Sequence, residues 1–206
     1  MHYLVLDLEM TGLEPGWHEI IQLGAALYDE SWQELDRYLT NVYPENEESY
    51  SLPALEVHGL TLEDLEEAPM INEVLPEFED WILTSMGRKA SSLDERQRSQ
   101  ALRSTLICGQ SVINDINFLK FAYREEHLKW PFSNTLVDLH TLSFFLFPIL
   151  EAAGRSVPKK RSLEAIAGMF GFQRESEEHN ALEDAVLTAQ CLRELWRLRE
   201  QMTLSS

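Results

Sequence analysis

The chain has 206 residues, 44% of them hydrophobic and 25% charged, with a formal net charge of −18. That length supports one domain with a sizeable core, and the composition is that of a globular protein rather than a disordered or fibrous one. The acidic balance argues against an extended duplex-binding surface, because phosphate neutralisation by Lys and Arg dominates such affinity; short or single-stranded nucleic acid over a small footprint stays compatible.

Residues 3–9 alternate with the strand period. Tyr3, Val5, Asp7 and Glu9 share one face, and Leu4, Leu6 and Leu8 share the other. Asp7 and Glu9 thus project to the same side, about 7 Å apart. Residues 11–16 read as a turn. Residues 19–28 and 34–43 read as the next strands, with Asp29-Glu30-Ser31 as a hairpin connection. Helices are predicted over 62–67 and 71–86. Residues 85–104 are polar, charged and poor in large apolar side chains. They read as a surface insertion, either a loop or a solvated extension of the preceding helix.

Residues 105–108 suggest a short buried strand. A helix over 113–127 places Ile113, Ile116, Leu119 and Tyr123 near one stripe. Leu136-Val137 suggests another short strand, followed by a helix running through Leu150. Residues 154–160 form a basic loop. Ser162 can cap a short helix that ends near Gly171. The final helix runs from Asn180 to about Met202, and Asn180-x-x-Glu183 fits a capping box. No repeat or linker interrupts the chain. Strands first and alternating elements later indicate one α/β domain over 1–206 with a mixed sheet, carrying the insertion at 85–104.

No leader pattern opens the sequence, and no apolar run approaches the roughly 18 residues of a membrane span. Cys108 and Cys191 stand outside any Cys-x-x-Cys pair. A disulfide framework or thiolate zinc site is therefore not expected, and the reading is of a cytoplasmic protein without a membrane partner.

Four acids and one histidine stand out against these elements. Asp7 and Glu9 lie on one strand face, where unpartnered buried charge is costly. Asp115 sits near a helix start, in Gly109-Gln110-Ser111-Val112-Ile113-Asn114-Asp115 before Phe118-Leu119. By itself it needs no more than the helix dipole to explain it. His179 precedes the Asn180 cap, and Asp184 falls among Ala181, Ala185, Leu187 and Thr188 on an inner face that demands a counter-charge. If the four carboxylates meet, their all-oxygen donor set selects Mg²⁺ or Mn²⁺. Two such ions beside a base suit phosphodiester hydrolysis.

The ordered set of Asp-x-Glu, an Asp before Phe-Leu and a late His-x4-Asp resembles the three motifs of the DEDDh (DnaQ-like) 3′–5′ exonucleases. That superfamily includes the epsilon subunit of bacterial DNA polymerase III, ribonuclease T and oligoribonuclease. Val57-His58-Gly59-Leu60-Thr61 and Asp138-Leu139-His140-Thr141-Leu142 resemble connecting segments of epsilon-like members. Asp7-Leu8-Glu9-Met10-Thr11-Gly12-Leu13 and the segment before Asp115 resemble oligoribonucleases.

The resemblance implies a ribonuclease H-like fold, with a central mixed sheet of about five strands flanked by helices. It implies hydrolysis from the 3′ end of single-stranded DNA or RNA, releasing nucleoside 5′-monophosphates, with two Mg²⁺ or Mn²⁺ ions. Asp7 would bridge both ions, with Glu9 and Asp184 holding one and Asp115 helping through water. His179 would be the general base. Met10, Thr11, Gly12 and Leu13 would meet the terminal nucleotide, with Leu13 as an apolar wedge, and Ser111 and Asn114 would contact the strand.

Three other readings stand beside this one: an oligoribonuclease acting on very short RNAs, a polymerase-associated proofreading subunit, and an inactive nucleic-acid-binding protein. Only about 22 residues follow Asp184. They leave no room for the C-terminal tail through which epsilon subunits bind polymerase, so stable polymerase association is not expected; a homodimer stays open. Lys159-Lys160-Arg161 reads either as solvated surface or as a phosphate track. His58 reads as a packed loop residue, and Trp32, Trp81, Trp130 and Trp196 as anchors.

Overall fold

The alternating N-terminal segment becomes the middle of a sheet. In the computed structural model, which describes residues 1–175 and 179–201, His2–Met10 forms β1. Ile20–Tyr28 (β2) pairs antiparallel with β1, and Glu34–Asn41 (β3) pairs antiparallel with β2. Thr105–Gly109 (β4) and Leu136–Asp138 (β5) continue the sheet in parallel on the other side. The order is β3-β2-β1-β4-β5. The sheet is therefore mixed and five-stranded, as the sequence suggested.

The helices are Leu52–His58 (α1), Leu62–Leu65 (α2), Ile71–Ser85 (α3), Glu95–Leu102 (α4), Ile113–Glu125 (α5), Leu139–Ala152 (α6), Leu163–Phe170 (α7) and Ala181–Gln201 (α8). They cover both faces. Leu4, Leu6 and Leu8 pack with Val74, Phe78 and Ile82 of α3 and with Ile116 and Leu119 of α5. Tyr3 and Val5 face the opposite layer, with Leu146 and Phe147 of α6, Ile166 of α7 and Leu187 and Leu192 of α8. The strand period of β1 thus sorts its side chains into two cores. Trp32 stacks on Tyr3 with centroids 4.2 Å apart, and Trp81 stacks on Phe78 at 5.7 Å, so these tryptophans are packing anchors.

Two segments differ from the sequence reading. Residues 85–104 contain a helix of their own, α4, rather than a loop or an extension of α3. Asp94 caps it by accepting the Gln97 N–H at 2.8 Å, and Ala101 and Leu102 are buried. Arg98 ties it to Glu79 and Asp80 of α3. Two small buried positions are too few to give an apolar period. The second is α1, which lay in unassigned chain. Ser51 caps it, Pro53 lies in its first turn, and Gly59 closes it at φ +70°. Those three signals stand in the sequence.

Candidate active site

The acidic cluster forms where β1 meets the N-terminal ends of α5 and α8. Asp7 pairs with Gly24 of β2, and Glu9 pairs with Gln22. Asp115, in the first turn of α5, accepts the Leu8 N–H at 3.1 Å and is thereby fastened to β1 between the two acids.

Helix α8 reaches this point because β2 has no side chain at residue 24. A Cβ there would stand 2.1 Å from the Leu182 nitrogen and 2.2 Å from the Ala181 carbonyl carbon. Gln22 then holds the helix start, its Oε1 accepting the Ala181 N–H at 2.9 Å. Asn180 caps it, accepting the N–H groups of Leu182 at 3.1 Å and Glu183 at 3.2 Å. The obstacle to a Cβ at residue 24 is backbone, which cannot step aside as a side chain can. Gly24→Ala is expected to destabilise the fold by about 3 kcal/mol and to move Asp184 away from Asp7, seen as a lower melting temperature and weaker Mn²⁺ binding by calorimetry.

Glu9, Asp115 and Asp184 are only 7%, 5% and 5% exposed. Burial drives the Asp7 carboxyl well above the usual carboxylate range, and repulsion from Asp115, Glu9 and Asp184 adds to it. Burial, then Asp184 and Asp115, push Glu9 up to about 7. Asp115 is also raised to about 7 by burial, with Asp138 adding repulsion; hydrogen bonds from its own N–H and that of Leu8 oppose the rise. These mutual effects place the four acids within electrostatic reach of one another.

The sign of the consequence follows from linkage. In an unfolded chain these carboxyls titrate near pH 4, so between about 4 and 7 the folded, metal-free protein binds more protons. Their stabilising effect is complete below about pH 4 and is lost as pH rises through about 7; for Glu9 alone the loss is about 3 kcal/mol. The metal-free protein should melt at a higher temperature near pH 5.5 than near pH 8, and Glu9→Gln should flatten that dependence. An unchanged slope in the variant would assign the effect elsewhere.

Among the described residues, Arg174 is the cation that enters the cluster. Arg174 grips Asp184 with both prongs, Nε to Oδ1 at 2.5 Å and Nη2 to Oδ2 at 2.8 Å. Its charge also draws the Asp7 and Glu9 carboxyls back down. The sequence showed that Asp184 needs a counter-charge but not which residue supplies it. Arg174 lies ten positions upstream in irregular chain, where no period marks it.

Among the described residues no three acidic, histidine or cysteine side chains converge in metal-binding geometry. The unneutralised carboxylates repel, and both oxygens of Asp184 are taken by the guanidinium. The donor set itself suits a hard divalent cation: four oxygen ligands that ionise reluctantly until positive charge arrives.

His179 stands beside the cluster, its Nδ1 3.4 Å from Asp184 Oδ2 and its ring about one-third exposed. Its backbone N–H is held by the Val57 carbonyl at 3.2 Å, which joins the end of α1 to the start of α8. A cleft of about 460 Å³ opens next to Glu9, lined also by Met10, Gly12, Leu13, Val57 and His58. Leu13 is 89% exposed at its rim. Gly12 permits the turn to close, since a Cβ there would lie 2.1 Å from the His18 ring. His58 ends α1 rather than sitting in a loop, and it packs edge-on to Tyr50. Its buried Nε2 has no partner among the described residues.

Thr11 does not face this cleft. It is fully buried, its hydroxyl bonds Ser49 and accepts the Glu19 N–H, and its own N–H and carbonyl engage Glu19 and Ser51. Its polar groups hold the turn together. Ser111 holds φ +54°, a conformation sparsely populated by residues other than glycine, with its N–H donated to Asp138 at 2.7 Å. Asn114 is exposed in the first turn of α5.

A mixed five-stranded sheet with buried acids at the end of its central strand defines the ribonuclease H-like class of nucleases. The exonuclease family model, ribonuclease T type, matches residues 4–192. The chain is 31% identical over 200 residues to the DNA polymerase III subunit epsilon of Aquifex aeolicus (strain VF5), covering 94% of this chain and 82% of that protein. It is 30% identical over 193 residues to the PolC-type DNA polymerase III of Thermotoga petrophila, covering 91% of this chain but 11% of that protein.

Among solved structures, the nuclease domain of 3′hExo, a DEDDh family member bound to rAMP, superposes with a TM-score of 0.71 at 18% identity, over 100% of this chain and 96% of that one. E. coli exonuclease I in complex with a dT13 oligonucleotide gives a TM-score of 0.77 at 15% identity, over 97% of this chain and 43% of that one. The chain belongs to the exonuclease family of the ribonuclease T type, is similar to a DNA polymerase III epsilon subunit, and is a nuclease that hydrolyses phosphodiester bonds. Among the described residues no helix is long and apolar enough to cross a membrane.

Proposed function

We propose that this site shortens single-stranded DNA or RNA from the 3′ end, releasing nucleoside 5′-monophosphates, with two Mg²⁺ or Mn²⁺ ions held by Asp7, Glu9, Asp115 and Asp184. The observation that carries this reading is the cluster of mutually repelling carboxylates, three of them buried, with Arg174 among them. Such ions, when bound, lower the pKa of a water and neutralise charge at both reacting oxygens.

The residues of the chain do the rest. Asp7 and Glu9 are presented on one face of a rigid strand, and the bond from Leu8 keeps Asp115 beside them. Arg174 must leave Asp184 for all four acids to serve as ligands. His179, partly open to solvent, takes a proton from the attacking water as the new P–O bond forms and the bond to the 3′ oxygen breaks. Leu13 and Met10 offer apolar surface to the terminal base, in the cleft that also contains Glu9.

The test uses 5′-labelled DNA and RNA, from dinucleotides to long single strands and duplexes. The expected result is a ladder shortened stepwise from the 3′ end, abolished by EDTA and restored by Mg²⁺ or Mn²⁺. Full activity in chelator would overturn the metal-dependent reading, and internal cuts would overturn the exonuclease reading. A strict preference for dinucleotides would instead identify an oligoribonuclease.

A further inference from the structure

We infer that the single strand on the 5′ side of the scissile bond runs away from the acidic cluster across the start of α6, with a base stacked on Phe144 and phosphates against Arg161 and Lys160. The inference rests on the nuclease reading above and assigns the substrate a length: several nucleotides, rather than two.

The path is continuous from the cluster outward. Asp138 ends β5 in register with Gly109 at the end of β4, the strand that leads into α5 and Asp115. The same Asp138 accepts the N–H groups of Ser111 at 2.7 Å and His140 at 3.1 Å. Ser111 Oγ lies 3.2 Å from His140 Nδ1, and the His140 ring is 5.3 Å from Phe144. The Arg161 guanidinium then lies over Phe144, 4.1 Å from its centroid. Gln110, immediately before Ser111, donates to the Arg161 carbonyl at 2.9 Å, which pins the basic segment to the end of β4.

The chemistry of this strip suits a polynucleotide. Phe144 is 59% exposed and its neighbour Phe145 68%, a large apolar offering for solvent to cover. A solvent-exposed aromatic ring stacks any base, so it grips a strand without reading its sequence. Arg161 sits over Phe144 and forms no ion pair among the described residues, nor do Lys159 and Lys160. In a chain of net charge −18, unpaired cations beside the active site locally offset the repulsion a phosphate chain would meet. A protein partner would use the same apolar surface, but the Arg161 guanidinium over Phe144 and the exposed Lys159 and Lys160 next to it in sequence favour a polyanion.

The experiment measures binding apart from hydrolysis. Fluorescence anisotropy in EDTA would follow 5′-labelled oligothymidylates and oligouridylates of about 2 to 12 nucleotides bound to the wild type, Phe144→Ala and Arg161→Ala. The wild type should tighten with length by about 10-fold or more. Each variant should lose about 10-fold on the long strands, with the loss shrinking as the strand shortens. Arg161→Ala should also reduce the slope of log affinity against log salt by about one.

The DNA and RNA arms show which sugar the strip accepts, and tightening with either supports it. An identical length profile in wild type and variants overturns the inference, as does an equal loss at every length or no measurable binding by the wild type. Because nothing is cut in EDTA, a strip that binds strands the enzyme never shortens would refute the exonuclease reading while leaving this one standing.

Discussion

His179→Ala should lower kcat by about 10²–10⁴-fold at saturating metal while leaving strand affinity close to that of the wild type. The expectation comes from where the ring stands. It neighbours Asp184 at 3.4 Å yet stays partly open to solvent, so it can reach a water at the cluster without being committed as a ligand. Its backbone N–H is fixed to Val57, so truncating the side chain leaves the entry into α8 in place. Single-turnover rates and anisotropy on the same protein separate the two effects. Near-normal turnover would remove His179 from the role of base. His58 would then be the next residue to test, since it lines the same cleft and has an unpartnered buried Nε2.

The parts of this site written on one element were legible in the sequence. The two-residue period of β1 alone places Asp7 and Glu9 together, and the same period separates Tyr3 and Val5 from Leu4, Leu6 and Leu8 into the two cores. The caps of α7 and α8 could be read because Ser162 and Asn180 act on N–H groups two or three residues away.

What escaped was whatever depends on another element. Gly24 reads as an ordinary residue in an apolar strand, and its importance appears only when the backbone of α8 lies against it. Thr11 matches a substrate-contact position in the motif, yet its hydroxyl is consumed by Ser49 and Glu19 from two other segments. The α4 segment looked like solvated surface because its attachment to α3 is made largely by Arg98, a residue that reads as polar exterior. Resemblance carried the step that spacing could not, namely that the ends of β1, α5 and α8 meet.

The remaining large effect sets Asp7 and Arg174 against each other. Asp7→Asn removes the acid at the centre of the repulsion and should abolish metal-supported hydrolysis, a loss of roughly 10³-fold or more given the several kcal/mol such ions supply to the transition state. The same change should raise the melting temperature of the metal-free protein at pH 8, because Asp7 ionises there only against burial and three neighbouring carboxylates. Arg174→Met does the reverse. It leaves the Asp184 carboxylate buried without its bidentate partner, which costs about 3–5 kcal/mol and should lower the metal-free melting temperature. It also frees both Asp184 oxygens, so calorimetric Mn²⁺ binding should tighten, and added Mn²⁺ should recover most of the lost stability. Weaker Mn²⁺ binding by Arg174→Met would show that the arginine organises the metal site instead of competing for it. A fall in metal-free stability on Asp7→Asn would show that Asp7 is a structural partner and not one of a strained set.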